Sequence, residues 1–331
     1  VARISEVTAN QADLWTDLRE TAAADRIGDY VGWKADAATT ADGRVLGLGT
    51  DIGPMALCYR SDLFEEAGVP SDPDELAARL GSWEDFIALG EEFQAGAPEG
   101  TAFHDSAGGL YNAIVSTEEQ IYYDQGGELV LESNPAVRRA FDLAAQAGQS
   151  GLTARLEQFV DPSWDGGFGS GTFASIACPS WMIGYIKGKA GDAGAGKWNI
   201  TTLPGGQGGN WGGSYLGIPA VSEHKEEAAA LIAWLTDAEQ QATVFANVGN
   251  FPSNTGAIDL VADTTDDYFN GAPIGEIFSS SAANAPTQIL GPGDGVAKNA
   301  LVQALLSVEA NGVNPDDAWQ AGVTQTVGQL G

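Results

Sequence analysis

Short apolar runs that suit strands alternate with capped helical patterns along most of this sequence. The clearest runs lie in "MALCYR" (55–60), "FASIAC" (173–178) and "WNITTLPGG" (198–206). Between the first two, "SWEDFIALGEEFQAG" predicts a helix over 82–96 with Ser82 as its N-cap. Alternating strands and helices of this kind favour an α/β fold with mainly parallel sheets.

Four other segments carry local predictions. "SDLFEEAGV" predicts a short helix that ends at Gly68, and "WDGGFGSGT" (164–172) predicts a Gly-rich loop. "NWGGSYLGIPA" (210–220) indicates a strand, and 225–249 indicates one long helix or two.

The chain has 331 residues, more than one hydrophobic core usually serves, so two lobes are expected. Because no flexible linker separates two halves, we expect strand crossings to connect the lobes.

The charge balance restricts the partners. Forty-five acidic residues stand against fifteen basic ones, which gives a formal net charge of −30. Nucleic acids and anionic membranes bind through clustered Lys and Arg, so neither is expected as a partner. A solvated acidic surface is the simpler interpretation, and acidic metal-binding clusters are the alternative. No loop has the spacing of an EF-hand, and no metal or other cofactor is predicted.

The few cysteines and histidines exclude other classes of site. Two cysteines cannot form a disulfide scaffold or a four-ligand zinc site, and only His104 and His224 could add ligands. The cysteines therefore form either one disulfide or two buried thiols. "VARISEV" lacks the basic and apolar regions of a signal peptide, so the protein is either cytoplasmic or has lost a leader.

Motifs of catalysis are absent or incomplete, so no enzyme activity is predicted. "GDAGAGKW" (191–198) begins like a phosphate-binding loop, but Trp198 replaces the Ser or Thr that binds Mg²⁺. No serine lies in a G-x-S-x-G turn. A carboxylate pair for glycoside cleavage stays open, since nothing singles out two among forty-five acidic residues.

Aromatic and acidic side chains lie where the strand patterns break. Trp181 follows a strand and Pro179, Trp211 and Tyr215 flank "GGS", and Asp51 lies between two apolar runs. Aromatic faces stack on pyranose rings, and placed polar groups accept hydrogen bonds from hydroxyls. Each tryptophan could equally belong to the core, but the set as a whole favours a sugar site.

The order of the longer motifs resembles the extracellular solute-binding proteins of ABC transporters, in the sugar-binding group that includes maltose-binding protein. The motifs are "DGRVLGLGTDIGPMALCYRSDLFEEAGV" (42–69), "SWEDFIALGEEF" (82–93), "GTFASIACPSWMIGYI" (171–186), "TTLPGGQGGNWGGSYLGIPAVSEHKEEAAALIAWLTDAEQQ" (201–241) and "GVAKNALVQALLSVEANGVNPDDAW" (295–319). The resemblance extends over nearly the whole chain in the same order.

The resemblance implies a two-lobed periplasmic-binding-protein-like α/β fold that closes on its ligand about a hinge. One lobe is expected to hold 1–52 and 216–280, and the other 56–210 and 289–331. The hinge crossings are expected near 51–55, 212–216 and 281–288. Compared with the family, the first lobe is expected to lack its N-terminal strands.

The resemblance also implies a function and a site. A monomer would capture a mono- or oligosaccharide outside the cell and deliver it to the permease subunits of an ABC transporter. It would be extracellular or periplasmic, anchored as a lipoprotein through a removed N-terminal segment. The expected ligand-binding residues are Trp181, Trp211, Tyr215, Asp51, Ser214, Gly213, Glu6 (at the end of the first strand), Glu119, Asp165 and Asp294.

In an extracytoplasmic family member, two cysteines on neighbouring strands favour a disulfide, so the resemblance implies a Cys58–Cys178 bridge. Three other functions stay open. The acidic surface and the aromatic residues would suit a polyamine or another cationic solute. The same aromatic residues with two carboxylates would suit a glycoside-cleaving enzyme, and an adhesion role would leave the cleft without ligand.

Overall fold

A computed structural model describes residues 3–330. Its helices are α1 (Ile4–Asn10), α2 (Gly32–Ala37), α3 (Ser61–Ala67), α4 (Pro73–Arg79), α5 (Trp83–Gly96), α6 (Ala107–Val115), α7 (Pro135–Gln149), α8 (Pro162–Ser170), α9 (Met182–Ala190), α10 (Lys225–Leu235), α11 (Ala238–Val248), α12 (Thr255–Val261), α13 (Ile274–Asn284), α14 (Asp294–Asn311) and α15 (Pro315–Leu330). The strands are β1 (Leu48–Gly49), β2 (Met55–Arg60), β3 (Ala102–His104), β4 (Phe173–Pro179), β5 (Trp198–Thr201) and β6 (Tyr215–Leu216). Val1, Ala2 and Gly331, which the predicted lobe ranges include, lie outside the described residues.

Local capping sets several helix boundaries. The Ser82 hydroxyl accepts a hydrogen bond from the backbone N–H of Asp85 at 3.1 Å, which confirms the predicted start of α5. Helix α3 ends at Gly68, whose φ of 77° lies in the left-handed region that glycine adopts without strain. The segment 225–249 forms two helices, α10 and α11, with Asp237 as the N-cap of the second.

The main sheet has the strand order β3-β4-β2-β5 and mixed direction. Strand β3 is parallel to β4, but β2 is antiparallel to both β4 and β5. The α/β class is confirmed, whereas the expectation of mainly parallel pairing is wrong for the described strands. Alternation of helices and strands in the sequence indicates that helices connect successive strands. It does not determine whether neighbouring strands of the sheet are parallel or antiparallel.

Two local predictions are wrong. The Gly-rich stretch 164–172 is not a loop, because most of it belongs to α8. Asp161 accepts a hydrogen bond from Ser163 N, and Pro162 occupies the first turn, so the start signal outweighs the low helix propensity of glycine. In 210–220 only β6 is a strand, since Gly212 and Gly213 both have φ above 90°.

The main sheet is buried on both faces, and successive side chains of β2 enter different clusters. Leu57 and Tyr59 join a large core with α5, α6, α7 and α14. Cys58 on the opposite face joins a second core that includes Phe245 and Phe278, although the sequence assigned 216–280 to the first lobe. A third, smaller cluster surrounds the two-stranded β1–β6 sheet.

The Cys58–Cys178 disulfide connects β2 to β4 and confirms the predicted pairing. In the antiparallel register, Cys58 lies opposite Ile176, and Cys178 lies opposite Ala56. The two cysteines are therefore diagonal neighbours, with their Cα atoms 5.8 Å apart, and both side chains are buried. This distance lies within the usual range for a disulfide.

Candidate functional site

Two chain segments run side by side between the sheets. Residues 50–54 connect β1 to β2, and 202–214 connect β5 to β6. Trp211 N donates a hydrogen bond to Gly53 O at 2.8 Å, and Thr50 N donates to Ser214 O at 2.9 Å. These backbone bonds hold the two connections together at the point where the chain passes from one sheet to the other.

Asp51 fixes this pairing with its carboxylate. One oxygen accepts hydrogen bonds from Ser214 N at 2.8 Å and from the Thr50 hydroxyl at 2.7 Å. The other accepts from the Asn250 amide at 3.1 Å. The side chain is 5% exposed, so its oxygens serve the protein and are not directed at a ligand. Asp51 therefore positions the second connection.

A cavity of about 780 Å³ opens beside the paired segments. Its walls include residues of α1, α2, α6 and α14, together with 210–215 and 286–290. Its aromatic lining consists of Trp15, Trp33, Tyr122, Trp211 and Tyr215. A volume of this size and an aromatic lining are typical of a site for a small organic ligand.

The structure brings five of the ten predicted binding residues to this cavity. They are Trp211, Gly213, Ser214, Tyr215 and Asp294. Asp51 and Trp181 lie directly behind them. The Trp181 Nε1–H donates a hydrogen bond to Trp211 O at 2.9 Å, and the two indoles meet edge to face with centroids 5.8 Å apart. Trp181 thus supports Trp211 and does not line the cavity.

The three remaining acidic residues lie elsewhere. Glu6, expected at the end of a strand, lies in helix α1, because the N-terminal segment forms a helix; its neighbours Ser5 and Val7 line the cavity. Glu119 is exposed, and Asp165 accepts hydrogen bonds from the Tyr185 hydroxyl and from Lys189 Nζ. None of these three side chains lines the described cavity.

Two lysines that sequence reasoning missed line the cavity. Lys34 Nζ lies 3.7 Å from the centroid of the Tyr215 ring, and Lys298 Nζ lies 4.5 Å from that of Trp211. Both are cation–π contacts. The available signal was their setting, since "GWKADA" and "GVAKNAL" place each lysine among small and apolar residues in a chain with few bases.

Burial changes the protonation of the charged groups here. It lowers the pKa of Lys34 to about 7, against the opposing effect of the Asp51 carboxylate. Burial, together with the charge of Arg3, lowers the pKa of Lys298 to about 7. Burial raises the pKa of Asp294 to about 6, although the Gly291 N–H and Arg3 favour the ionised form. Each group loses charge more readily than in water.

A second cavity of about 230 Å³ adjoins the first. Trp211 and Lys298 line both cavities, so this pair forms part of the wall between them.

Phe159 lines the smaller cavity and is 51% exposed, with a left-handed φ of 65°. Its ring lies 6.1 Å from Trp181 and 6.4 Å from Trp211. Sequence reasoning missed Phe159, because it lies in an irregular loop without a strand break.

Across residues 3–330, no group of three or more His, Cys, Asp or Glu side chains is arranged to hold a metal ion. Within the same range, none of the helices combines the length and the apolar character needed to cross a bilayer.

Comparison with known proteins identifies relatives over nearly the whole chain. The sequence model of the bacterial extracellular solute-binding protein family matches residues 5–270. A solved structure described as an extracellular solute-binding protein family 1 member is 39% identical, with a TM-score of 0.86. The match covers 98% of this chain and 82% of that one.

Two curated relatives are named for sugars. The lactose-binding protein of Rhizobium radiobacter is 27% identical over 317 residues, which are 91% of this chain and 71% of the relative. The arabinooligosaccharide-binding protein of Bacillus subtilis (strain 168) is 26% identical over 208 residues, which are 60% of this chain and 46% of the relative. The chain thus spans more than two thirds of the first relative and under half of the second.

Proposed function

This chain belongs to the bacterial extracellular solute-binding protein family, and on that premise we propose that it captures a mono- or oligosaccharide for an ABC transporter permease. The aromatic cavity beside the paired connections is the observation that carries the proposal. Its rings offer apolar faces to a sugar, and 212–214 offer backbone groups and a hydroxyl. The sugar names of the two curated relatives support this ligand class.

Within this proposal, Trp211 and Tyr215 contact the ligand, and Gly213, Ser214 and Asp294 supply polar contacts. Asp51 and Trp181 act as positioning residues, since their polar atoms bind other protein groups. Glu6, Glu119 and Asp165 have no role in the proposed site, because their side chains lie outside the cavity.

Ligand capture would proceed by closure of two lobes about the connections at 51–55, 212–216 and 281–288. A ligand that contacts both lobes favours the closed state by its higher affinity for that state. The cavity is lined by residues of α2, which was assigned to the first lobe, and of α14, which was assigned to the second, and this supports the division. Several residues between 245 and 278 belong to the core around the disulfide. The first lobe, which was predicted to hold 216–280, would therefore also pack against the second lobe.

The other functions considered from the sequence gain no support. The two curated relatives carry names of sugar-binding proteins, and the cavity wall has more basic than acidic side chains, whereas a polyamine site would need an excess of acids. We also propose that the protein is held at the cell surface as a lipoprotein. Metabolic labelling of the precursor with a fatty acid tests the anchor, and an unlabelled precursor would contradict it.

Calorimetric titration with a panel of mono- and oligosaccharides tests the proposed function. We expect Trp211→Ala to weaken sugar binding at least tenfold, because the stacking of a ligand ring on an aromatic side chain contributes on the order of 1–3 kcal/mol. Trp181→Phe, which removes the hydrogen bond to Trp211 O and part of the ring packing, should weaken binding less. Trp234→Ala is the control, since Trp234 is 57% exposed on α10 and does not line the cavity. A wild-type protein that binds no sugar would contradict the proposal.

A further inference from the structure

The charges that line the cavity reverse the composition of the chain. The whole sequence has three times as many acidic as basic residues, 45 against 15. The cavity wall has more basic than acidic side chains: Arg3, Lys34 and Lys298 against Asp36 and Asp294. A neutral ligand does not require this excess of bases, and a cationic ligand would be repelled by it.

Lys34 lies in the wall without a carboxylate partner among the described residues. Its side chain is 1% exposed, and its ammonium group rests on the Tyr215 ring. The nearest acid, Asp51, directs its oxygens to Thr50, Ser214 and Asn250. A buried ammonium that has only a ring as partner is destabilising, and a bound anion would relieve that cost.

Lys298 is partly buried at the other end of the 211–215 segment. Its ammonium rests on Trp211, and the described residues give it no ion pair. Asp294 lies one turn earlier on α14, but one of its oxygens accepts from Gly291 N and the other is buried without a partner. The carboxyl of Asp294 therefore does not neutralise Lys298.

We infer that the ligand is a sugar with an anionic substituent, such as a uronic acid, and that the positive charge of Lys34 and Lys298 in the cavity wall favours it. This inference rests on the proposed function and specifies its substrate class. Charge-assisted hydrogen bonds from ammonium to carboxylate are stronger than neutral ones, so each lysine favours the acid over the matched neutral sugar. The aromatic rings that contact the lysines would stack on the faces of the sugar in the same way for an anionic and for a neutral ligand.

Proton uptake gives the inference a second readout. With a pKa near 7, each lysine is partly neutral at pH 7. A bound anion raises the pKa of an adjacent amine, so binding should take up protons from the buffer. The other charged groups that face these amines are Arg3, Asp36, Asp51 and Asp294.

The test is calorimetric titration of the whole protein with matched pairs that differ only at C6. The pairs are galactose with galacturonate, glucose with glucuronate, and galactobiose with digalacturonate, and each hexose is also compared with its 6-phosphate. We expect at least one anionic member to bind tenfold or more tightly than its neutral partner. Preference for the uronate or for the phosphate identifies the anionic group, and either one supports the inference.

Lys298→Gln and Lys34→Gln should each reduce the preference at least fivefold, measured as the ratio of the affinity for the anionic sugar to the affinity for its neutral partner. Lys189→Gln, which removes a surface lysine paired with Asp165, is the matched control. If Lys34→Gln does not fold, Lys298→Gln still tests the inference. Proton uptake on binding, obtained from titrations in two buffers of different ionisation enthalpy, tests it as well. Equal or tighter binding of the neutral sugars overturns the inference and leaves the proposed function standing. If no member of any pair binds, both fail.

Discussion

Gly213 occupies a tight point of the connection that leads to β6. A Cβ atom there would lie 2.6 Å from Asp51 O and 2.7 Å from Lys34 Nζ. The residue also has a φ of 93°, which side-chain-bearing residues rarely adopt. Position 213 therefore requires glycine for both space and backbone conformation.

We predict that Gly213→Ala lowers the free energy of unfolding by about 2 kcal/mol or more and weakens sugar binding, because the two connections must separate. Urea denaturation of the ligand-free protein measures the change. Gly188→Ala is the matched control: Gly188 lies in α9 with nothing near its Cβ position, so this change should stabilise by about 1 kcal/mol. Equal effects of the two substitutions would contradict the assigned strain.

Lys34 makes stability depend on pH in the alkaline range. Its folded pKa of about 7 lies below the ordinary value of 10.5, so between these values the unfolded chain binds more protons. The contribution of Lys34 to the free energy of unfolding therefore rises as the pH increases from 7. We predict that the wild type gains about 1.4 kcal/mol per pH unit relative to Lys34→Met between pH 8 and 9.

Denaturation at several pH values, without ligand, tests this slope. Lys197→Met removes an exposed lysine and controls for the change in net charge. A constant difference between the wild type and Lys34→Met over this range would show that Lys34 is solvated in the folded protein.

At the level of strands, the disulfide joins two buried neighbours of the main sheet and closes a loop of 120 residues. A cross-link restricts the unfolded chain, and for a loop of this length the chain-entropy model gives about 4–5 kcal/mol. We predict that Cys58→Ala with Cys178→Ala lowers the free energy of unfolding by about 2–5 kcal/mol. Because both cysteines are buried, reductant should act on the folded wild type only slowly.

Denaturation with and without reductant measures the contribution. Reductant should lower the stability of the wild type to that of the double variant and leave the variant unchanged. Titration of the unreduced, denatured protein should find no free thiol, and two thiols would contradict the bridge.

The sequence predicted those elements whose signals are local. Ser82 and Gly68 mark the ends of α5 and α3, because a cap depends only on residues within one turn. Helix α8 was missed because its start signal, Asp161 with Pro162, precedes a Gly-rich stretch that resembles a loop. The direction of β2 was also missed, since strand direction depends on where the chain returns and not on its composition.

The candidate site was predictable only in part for the same reason. Trp211 and Tyr215 could be chosen because they flank a Gly-rich break, which the structure places beside the cavity. Lys34 and Lys298 had only a weak signal, their apolar sequence setting, because each lies within a helix and reaches the cavity through the packing of distant segments. Trp181 was chosen as a platform, but its hydrogen bond to Trp211 O makes it a support in the described structure.

For the molecule as a whole, the paired connections and the cavity beside them suit a protein that closes on its ligand. A compact chain of this length has an expected radius of gyration of about 20 Å, and closure of two lobes makes a chain more compact. We predict that a saturating sugar lowers the radius of gyration measured by small-angle scattering, because the closed state binds the ligand more tightly. Trp211→Ala, at a concentration that saturates only the wild type, should show no decrease, and Trp234→Ala should match the wild type. A wild type that binds sugar with full affinity at an unchanged radius would show that the cavity is preformed and that the connections do not act as a hinge.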